Sequence, residues 1–265
     1  VTAVNTASPL ACEIRRDITR ALCDYNMLNE GDRVLVAVSG GKDSVILAFM
    51  LREIQRRAPF SFTITPVLID QGQPDFDTAE FERFMHENGL PLTIVREKTY
   101  TLVREKIPEG DALCPLCARL RRGILYTYAD KNGFSKIALG HHRDDLIETL
   151  LMNIFYEGRI ASMPPKLRSD DSRNIVIRPM AYAAESDLIA LAHEWRIPVV
   201  SCGSCASGQG PMREGMRELV DRLEKESPGV RSSLLSALSN IRLSQMLDRR
   251  LWDFDDFQTQ CGMDG

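Results

Sequence analysis

No apolar run in the 265-residue chain approaches the ~18 residues that a bilayer-spanning helix requires, and its first residues lack the basic-then-apolar pattern of a secretory signal. A membrane-spanning helix is therefore excluded, no membrane is expected among its partners, and the cytoplasm is the expected compartment. Positive charge is not in excess either: 33 Lys and Arg against 37 Asp and Glu leave a net −4, which argues against a general nucleic-acid binder. There is no internal repeat and no low-complexity tract. What is present, 44% hydrophobic and 26% charged residues, suffices for one large core, or for one core with a small appendage. Seven cysteines in a cytosolic chain do not make a disulfide framework, so closely spaced pairs read as metal or redox sites.

Strand-like runs recur at Val34–Val38, Thr63–Ile69, Leu92–Arg96, Lys136–Leu139 and Ile175–Ile177, separated by helical patterns near 43–57, 77–88, 116–131 and 143–156. This alternation predicts an α/β fold with a doubly wound parallel sheet, which binds ligands at the carboxyl ends of its strands. Residues 1–30, with a helix over 12–25, read as an N-terminal helical appendage. Residues 31–210 read as the main domain, which closes with a helix-strand pair at Glu185–Trp195 and Ile197–Val200. Residues 211–265 read as C-terminal helices over 211–226 and 230–250 with a mobile acidic tail.

Ser39-Gly40-Gly41-Lys42-Asp43-Ser44 lies between the first strand and the next helix, where a helix N-terminus gathers backbone N–H groups and positive potential. Adjacent glycines let those N–H groups turn toward an anion, and Lys42 adds charge at the same point. A Walker A loop would need glycine at position 36 and Ser or Thr at 43, where Val36 and Asp43 stand. The loop instead resembles the pyrophosphatase loop of the N-type ATP pyrophosphatases, which implies attack of a substrate oxygen on the α-phosphate of ATP. Asp70, after the second strand, and the Gly140-His141-His142-Arg143-Asp144-Asp145 turn, after the fourth, fall at the same edge of the sheet. At this edge His141 is suited to a phosphate or adenine and Asp144 or Asp145 to Mg2+, whereas in isolation the two aspartates would read as helix caps.

Cys114 and Cys117 form one pair three positions apart, and Cys202 and Cys205 form a second. The spacing accommodates a closed zinc site, an iron–sulfur cluster held by three or four thiolates, or a dithiol that cycles through a disulfide while carrying a persulfide. Met163-Pro164-Pro165-Lys166 is a stiff extended segment that presents Lys166 and Arg168 either to a phosphate backbone or merely to solvent. Charge is unevenly distributed. Between Cys114 and Met180, eleven Lys and Arg face seven Asp and Glu, so this stretch carries +4 and the rest of the chain −8.

Ser39–Ser44, the first cysteine pair running into Arg119-Leu120-Arg121-Arg122-Gly123, then Gly140–Asp145, Met163-Pro164-Pro165-Lys166-Leu167, Ile177-Arg178-Pro179 and Cys202 resemble the tRNA 2-thiocytidine synthetases, in that family's order, from about Asp32 to Cys205. The resemblance implies an adenine-nucleotide-hydrolase-like fold and an ATP- and [4Fe–4S]-dependent tRNA sulfurtransferase acting on C2 of an anticodon-loop cytidine at tRNA position 32. It implies nucleotide contacts from Ser39, Gly40, Gly41, Lys42, Asp43, Ser44, Asp70, Gly140 and His141, with Lys42, Asp43 and Asp144 as catalytic residues. Cys114, Cys117 and Cys202 would hold the cluster, and Asp43, Asp144 and Asp145 would hold Mg2+. Its partners would be tRNA and a sulfur donor, a cysteine desulfurase or sulfide, and its assembly a homodimer. In the family, proline precedes the third cysteine and Gly-Ser-Gln follows the fourth; here Ser201 precedes Cys202 and Ala206-Ser207-Gly208-Gln209 follows Cys205. Related readings are a sister enzyme that thiolates a uridine, a lysidine-type ligase, which would not need the cysteine pairs, and a non-catalytic ATP- and cluster-binding RNA module.

Overall fold

A computed structural model describes residues 4–73, 76–100, 114–169, 172–198 and 210–254. It divides into two compact units, the first running to Leu219 and the second from Val220 onward. In the first, the elements follow as α1 Pro9–Asp24, β1 Arg33–Val38, α2 Lys42–Arg57, β2 Thr63–Asp70, α3 Ala79–Glu87, β3 Thr93–Arg96, α4 Cys114–Lys131, β4 Lys136–Ala138, α5 Arg143–Glu157, β5 Lys166–Arg168, β6 Ile175–Ile177 and α6 Glu185–Trp195, and then by α7, Pro211–Glu226, which continues past Leu219.

The sheet runs β3-β2-β1-β4-β6-β5, parallel throughout except for β5, which lies antiparallel to β6 at the edge. β-Branched and aliphatic residues build it because both faces are covered. Along β1, Val34, Val36 and Val38 enter the core beneath α1, α2 and α6, while Leu35 enters the opposite core beneath α4 with Val67, Ile69 and Ile137. The doubly wound α/β fold expected from the alternation of apolar runs is therefore present. Its order reverses between β1 and β4, which opens a crevice at their carboxyl ends.

The structure departs from the sequence reading at four places. α1 is no appendage: Ser8 caps it, Ala11, Ile14, Ile18, Ala21 and Leu22 are buried in the main core, and Trp195 Nε1 donates to Asn5 O at 3.2 Å. Lys166–Arg168 forms a strand, because its antiparallel register against Ile175–Ile177 satisfies the edge of β6. Neither Ile197 nor Pro198 is in a strand, and the remainder of that expected strand lies outside the described residues. In the second unit, α8 spans only Val230–Ala237, followed by a 3-10 turn at Leu243–Gln245. The expected helix over 230–250 stops early because Ser239 turns its hydroxyl back onto Ser236 O at 3.1 Å and Asn240 follows, both residues whose side chains compete with helical hydrogen bonding.

Candidate active site

The loop from Ser39 to Ser44 leaves β1 and enters α2, whose first residue is Lys42. Gly40 has φ +89°, in the left-handed region where a side chain is strained. Gly41 occupies the N-cap without a side-chain cap, so the first N–H groups of α2 are left for an anion. The hydroxyl of Ser44 shapes the loop from within, accepting from Ser39 N at 3.1 Å and donating to Gly41 O at 2.9 Å.

Gly140, which follows β4, packs directly onto this loop. A Cβ there would lie 3.1 Å from Ser44 N and 3.2 Å from Ser44 Cα. The turn after β4 and the loop after β1 thus share one crevice. In that turn His142 and Asp145 form a reciprocal capping box at the start of α5, Asp145 Oδ2 accepting from His142 N at 3.1 Å. Asp144 Oδ2 accepts from Glu185 N at 2.8 Å, tying α5 to α6. His141 is kept neutral at physiological pH: burial, with Arg178, Arg213 and His142 nearby, outweighs the attraction of Asp145 and lowers its pKa to about 4.

Lys42 is held by carboxylates, with Asp43 Oδ1 at 3.1 Å and Glu185 Oε1 at 3.8 Å. Glu185 also faces Arg217 at 3.4 Å, and Arg217 donates to the buried Glu148 at 3.0 Å. Burial pushes the Glu148 carboxyl up, against the opposing pull of Arg217 and Arg213. Arg213 completes the chain of charges with Asp145 Oδ1 at 2.8 Å. Both arginines come from α7, beyond the reach of the sequence motifs. Their i, i+4 spacing opposite Asp145 and Glu148 on α5 was the available signal, and it is legible only once the two helices are known to face each other.

Asp70 ends β2 at the same edge, accepting from Gly72 N at 2.9 Å, with Arg96 at 3.7 Å. The next residue, Gln71, is fully buried and joins three elements: its Nε2 donates to Thr99 Oγ1 at 3.0 Å and to Cys117 O at 3.4 Å, and its Oε1 accepts from Arg121 at 3.1 Å. Gln71 was not singled out from the sequence, where a lone glutamine carries no pattern. It anchors the first turn of α4, which begins at Cys114 and contains the buried Cys117, to the carboxyl edge of the sheet. Cys202 and Cys205 lie outside the described residues. Lys166 and Arg168, considered for a phosphate backbone, instead donate to main-chain carbonyls of Asn26 and Ser172.

Among the three aspartates considered for Mg2+, Asp43 fits a cation best. Its Oδ1 is buried and accepts no hydrogen bond from the described residues, leaving the ion pair with Lys42. Asp145 spends both oxygens on His142 N and Arg213, and Asp144 holds α6.

A glycine phosphate loop at the switch point of a doubly wound sheet, with a second turn packed onto it, defines an ATP-pyrophosphatase-type site, and residues 11–209 match the PP-loop domain family. The chain belongs, within that class, to the tRNA-cytidine(32) 2-sulfurtransferase family. It is 49% identical to the tRNA-cytidine(32) 2-sulfurtransferase of Bdellovibrio bacteriovorus across 97% of this chain and 99% of that protein. It is also 49% identical to the enzyme of that name from Coxiella burnetii, across 89% of this chain and 93% of that one. Among solved structures, the U34-tRNA thiolase NcsA from Methanococcus maripaludis, determined with its [4Fe–4S] cluster, is similar in fold, with a TM-score of 0.71 and 23% identity over 97% of this chain and 83% of that one.

Proposed function

We propose that this protein is an ATP-dependent tRNA sulfurtransferase that replaces O2 of cytidine 32 in the anticodon loop with sulfur. The observation that carries the reading is 49% identity over 97% of the chain to an enzyme of that name, joined to a phosphate loop that stands at the carboxyl edge of the sheet. In the reaction, O2 of the base attacks the α-phosphate of ATP and pyrophosphate leaves. A sulfur nucleophile then adds at C2, and the C2–O2 bond breaks with AMP as the leaving group.

The N–H groups of the first turn of α2 and Lys42 are suited to the negative charge on the phosphates, as preorganised donors that need no rearrangement during the reaction. Lys42 must exchange its contacts with Asp43 and Glu185 for phosphate oxygens, which leaves Asp43 Oδ1 available to Mg2+. Ser39, Gly40, Gly41 and Ser44 shape the cradle, Gly140 and His141 close its second side, and Asp70 borders it. Asp144 acts by holding α5 against α6, and Asp145 by fixing the turn that carries His141.

The cysteines fit a thiophilic group. Cys117 is a buried thiol at the site's edge, and Cys114 stands three positions before it on the same helix. A [4Fe–4S] cluster held by Cys114, Cys117 and Cys202 would supply an iron with no protein ligand at which inorganic sulfur can be carried. The same reading takes sulfide or a cysteine desulfurase as the sulfur source, a homodimer as the assembly and the cytoplasm as the compartment.

The test is Cys117→Ala, compared anaerobically with the parent protein after iron and sulfide reconstitution. The variant is expected to lose most of its iron and to thiolate tRNA at least about 100-fold more slowly, while still binding Mg-ATP. Undiminished thiolation by the variant would remove the cluster from the account.

A further inference from the structure

We propose that Arg178 is a positioning residue that fixes His141 as its Nε2–H tautomer, so that His141 offers a neutral hydrogen-bond donor to a phosphate oxygen of the bound nucleotide. This rests on the ATP-using reading above.

Arg178 Nε points at His141 Nδ1 across 3.3 Å. A guanidinium donates and never accepts, so Nδ1 must be the bare, accepting nitrogen, and a neutral imidazole then carries its proton on Nε2. Arg178 is in turn held rigidly. Its Nη1 donates to Pro164 O at 2.6 Å, and its main-chain N donates to Pro165 O at 2.8 Å. Both acceptors belong to the Met163-Pro164-Pro165 segment, whose proline rings restrict the backbone. The proline pair thereby gains a role that neither the phosphate loop nor the cysteines explain: it is the buttress that aims Arg178.

The other groups facing His141 agree with a neutral ring. Arg178 comes from just after β6, Arg213 from α7, and His142 and Asp145 from its own turn and helix; burial with the cations outweighs the carboxylate. The residue before His141, Gly140, packs against the backbone of Ser44, so His141 stands in the turn that lies against the phosphate loop. A neutral donor here keeps its hydrogen bond across the working pH range, whereas an ordinary histidine would change charge within it.

The chain has four histidines, so 15N-imidazole spectra are tractable, with His141→Gln assigning the resonance. The parent protein is expected to show His141 with bare Nδ1 and protonated Nε2 from pH 5.5 to 8, and Mg-ATP is expected to shift the Nε2 signal. Arg178→Leu should give mixed tautomers and lower kcat for pyrophosphate release about tenfold to a hundredfold, with a smaller change in KM for ATP. Arg178→Gln keeps a neutral donor and should retain part of the tautomer preference, which covers the case in which the leucine variant fails to fold. Glutamine places an amide N–H near the Nε2 position and asparagine does not, so His141→Gln should exceed His141→Asn in turnover by about tenfold.

An Nδ1–H tautomer in the parent, a tautomer indifferent to both Arg178 variants, no response to Mg-ATP, or an asparagine variant as active as the glutamine one would each overturn the proposal. An ATP-dependent Nε2 shift in a protein that never thiolates tRNA would support this assignment while sinking the sulfurtransferase reading.

Discussion

Gly140 shows how finely single residues set this site. Its φ is not in the left-handed region, so alanine meets no backbone strain there. The obstacle is space: the new Cβ would stand 3.1 Å from Ser44 N, 3.2 Å from Ser44 Cα and 3.3 Å from Asp43 C. All three are backbone atoms of the first turn of α2, and they can give way only by displacing that turn. Gly140→Ala is therefore expected to lower ATP turnover by about tenfold or more and to cost about 1–3 kcal/mol of stability, the ordinary cost of overpacking. Parallel measurements of pyrophosphate release and urea unfolding check this; full turnover in the alanine variant would show that the close approach of the two turns is incidental. At this scale the turn positions of Ser39–Ser44, Gly140 and His141 were legible, because each lies at a strand-to-helix junction. Gln71, Arg213 and Arg217 were not, since each acts by reaching across to another element.

Elements were legible wherever a run of apolar residues was bounded by turn residues, as at Val34–Val38 and Thr63–Ile69. They were lost where pairing decides, as for β5, whose three residues become a strand through β6 alone. The amino ends of the central strands carry a different device from the carboxyl ends. Lys136, at the start of β4, is buried and paired with Asp32, just before β1, and Ser135 also donates to Asp32 at 2.8 Å. Burial works against the Asp32 carboxylate, but hydrogen bonds from Lys136, Ser135 and Asn29 N–H prevail and hold its pKa below the ordinary value. Removing one partner strands a buried charge, so Lys136→Ala should cost about 3–5 kcal/mol in urea unfolding. Because the folded-state pKa is depressed, the contribution of Asp32 is present at neutral pH. It is lost as pH falls below about 4, through the folded value. The parent protein should thus lose stability in that window and the variant should lose less; an unchanged acid profile and an unfolding free energy within about 1 kcal/mol of the parent would contradict the pairing.

Over the whole molecule, two apolar faces bury the sheet and leave its carboxyl edge to collect the chemistry: the phosphate loop, the turn after β4, Arg178 after β6 and the first turn of α4. The class of fold followed from alternating strands and helices, and the kind of reaction from the family resemblance carried by the phosphate loop, the first cysteine pair and the motifs after it. Neither the base nor the atom modified is written in that edge; these come from family membership. The central claim joins all three, and nucleoside mass spectrometry on unmodified tRNA tests it most directly, after anaerobic incubation with Mg-ATP, sulfide and either iron-reconstituted or iron-free protein. The account predicts a sulfur-for-oxygen mass gain on cytidine 32 with the iron-loaded protein and none without iron. A gain on uridine, or none at all from iron-loaded protein that still binds Mg-ATP, would contradict it.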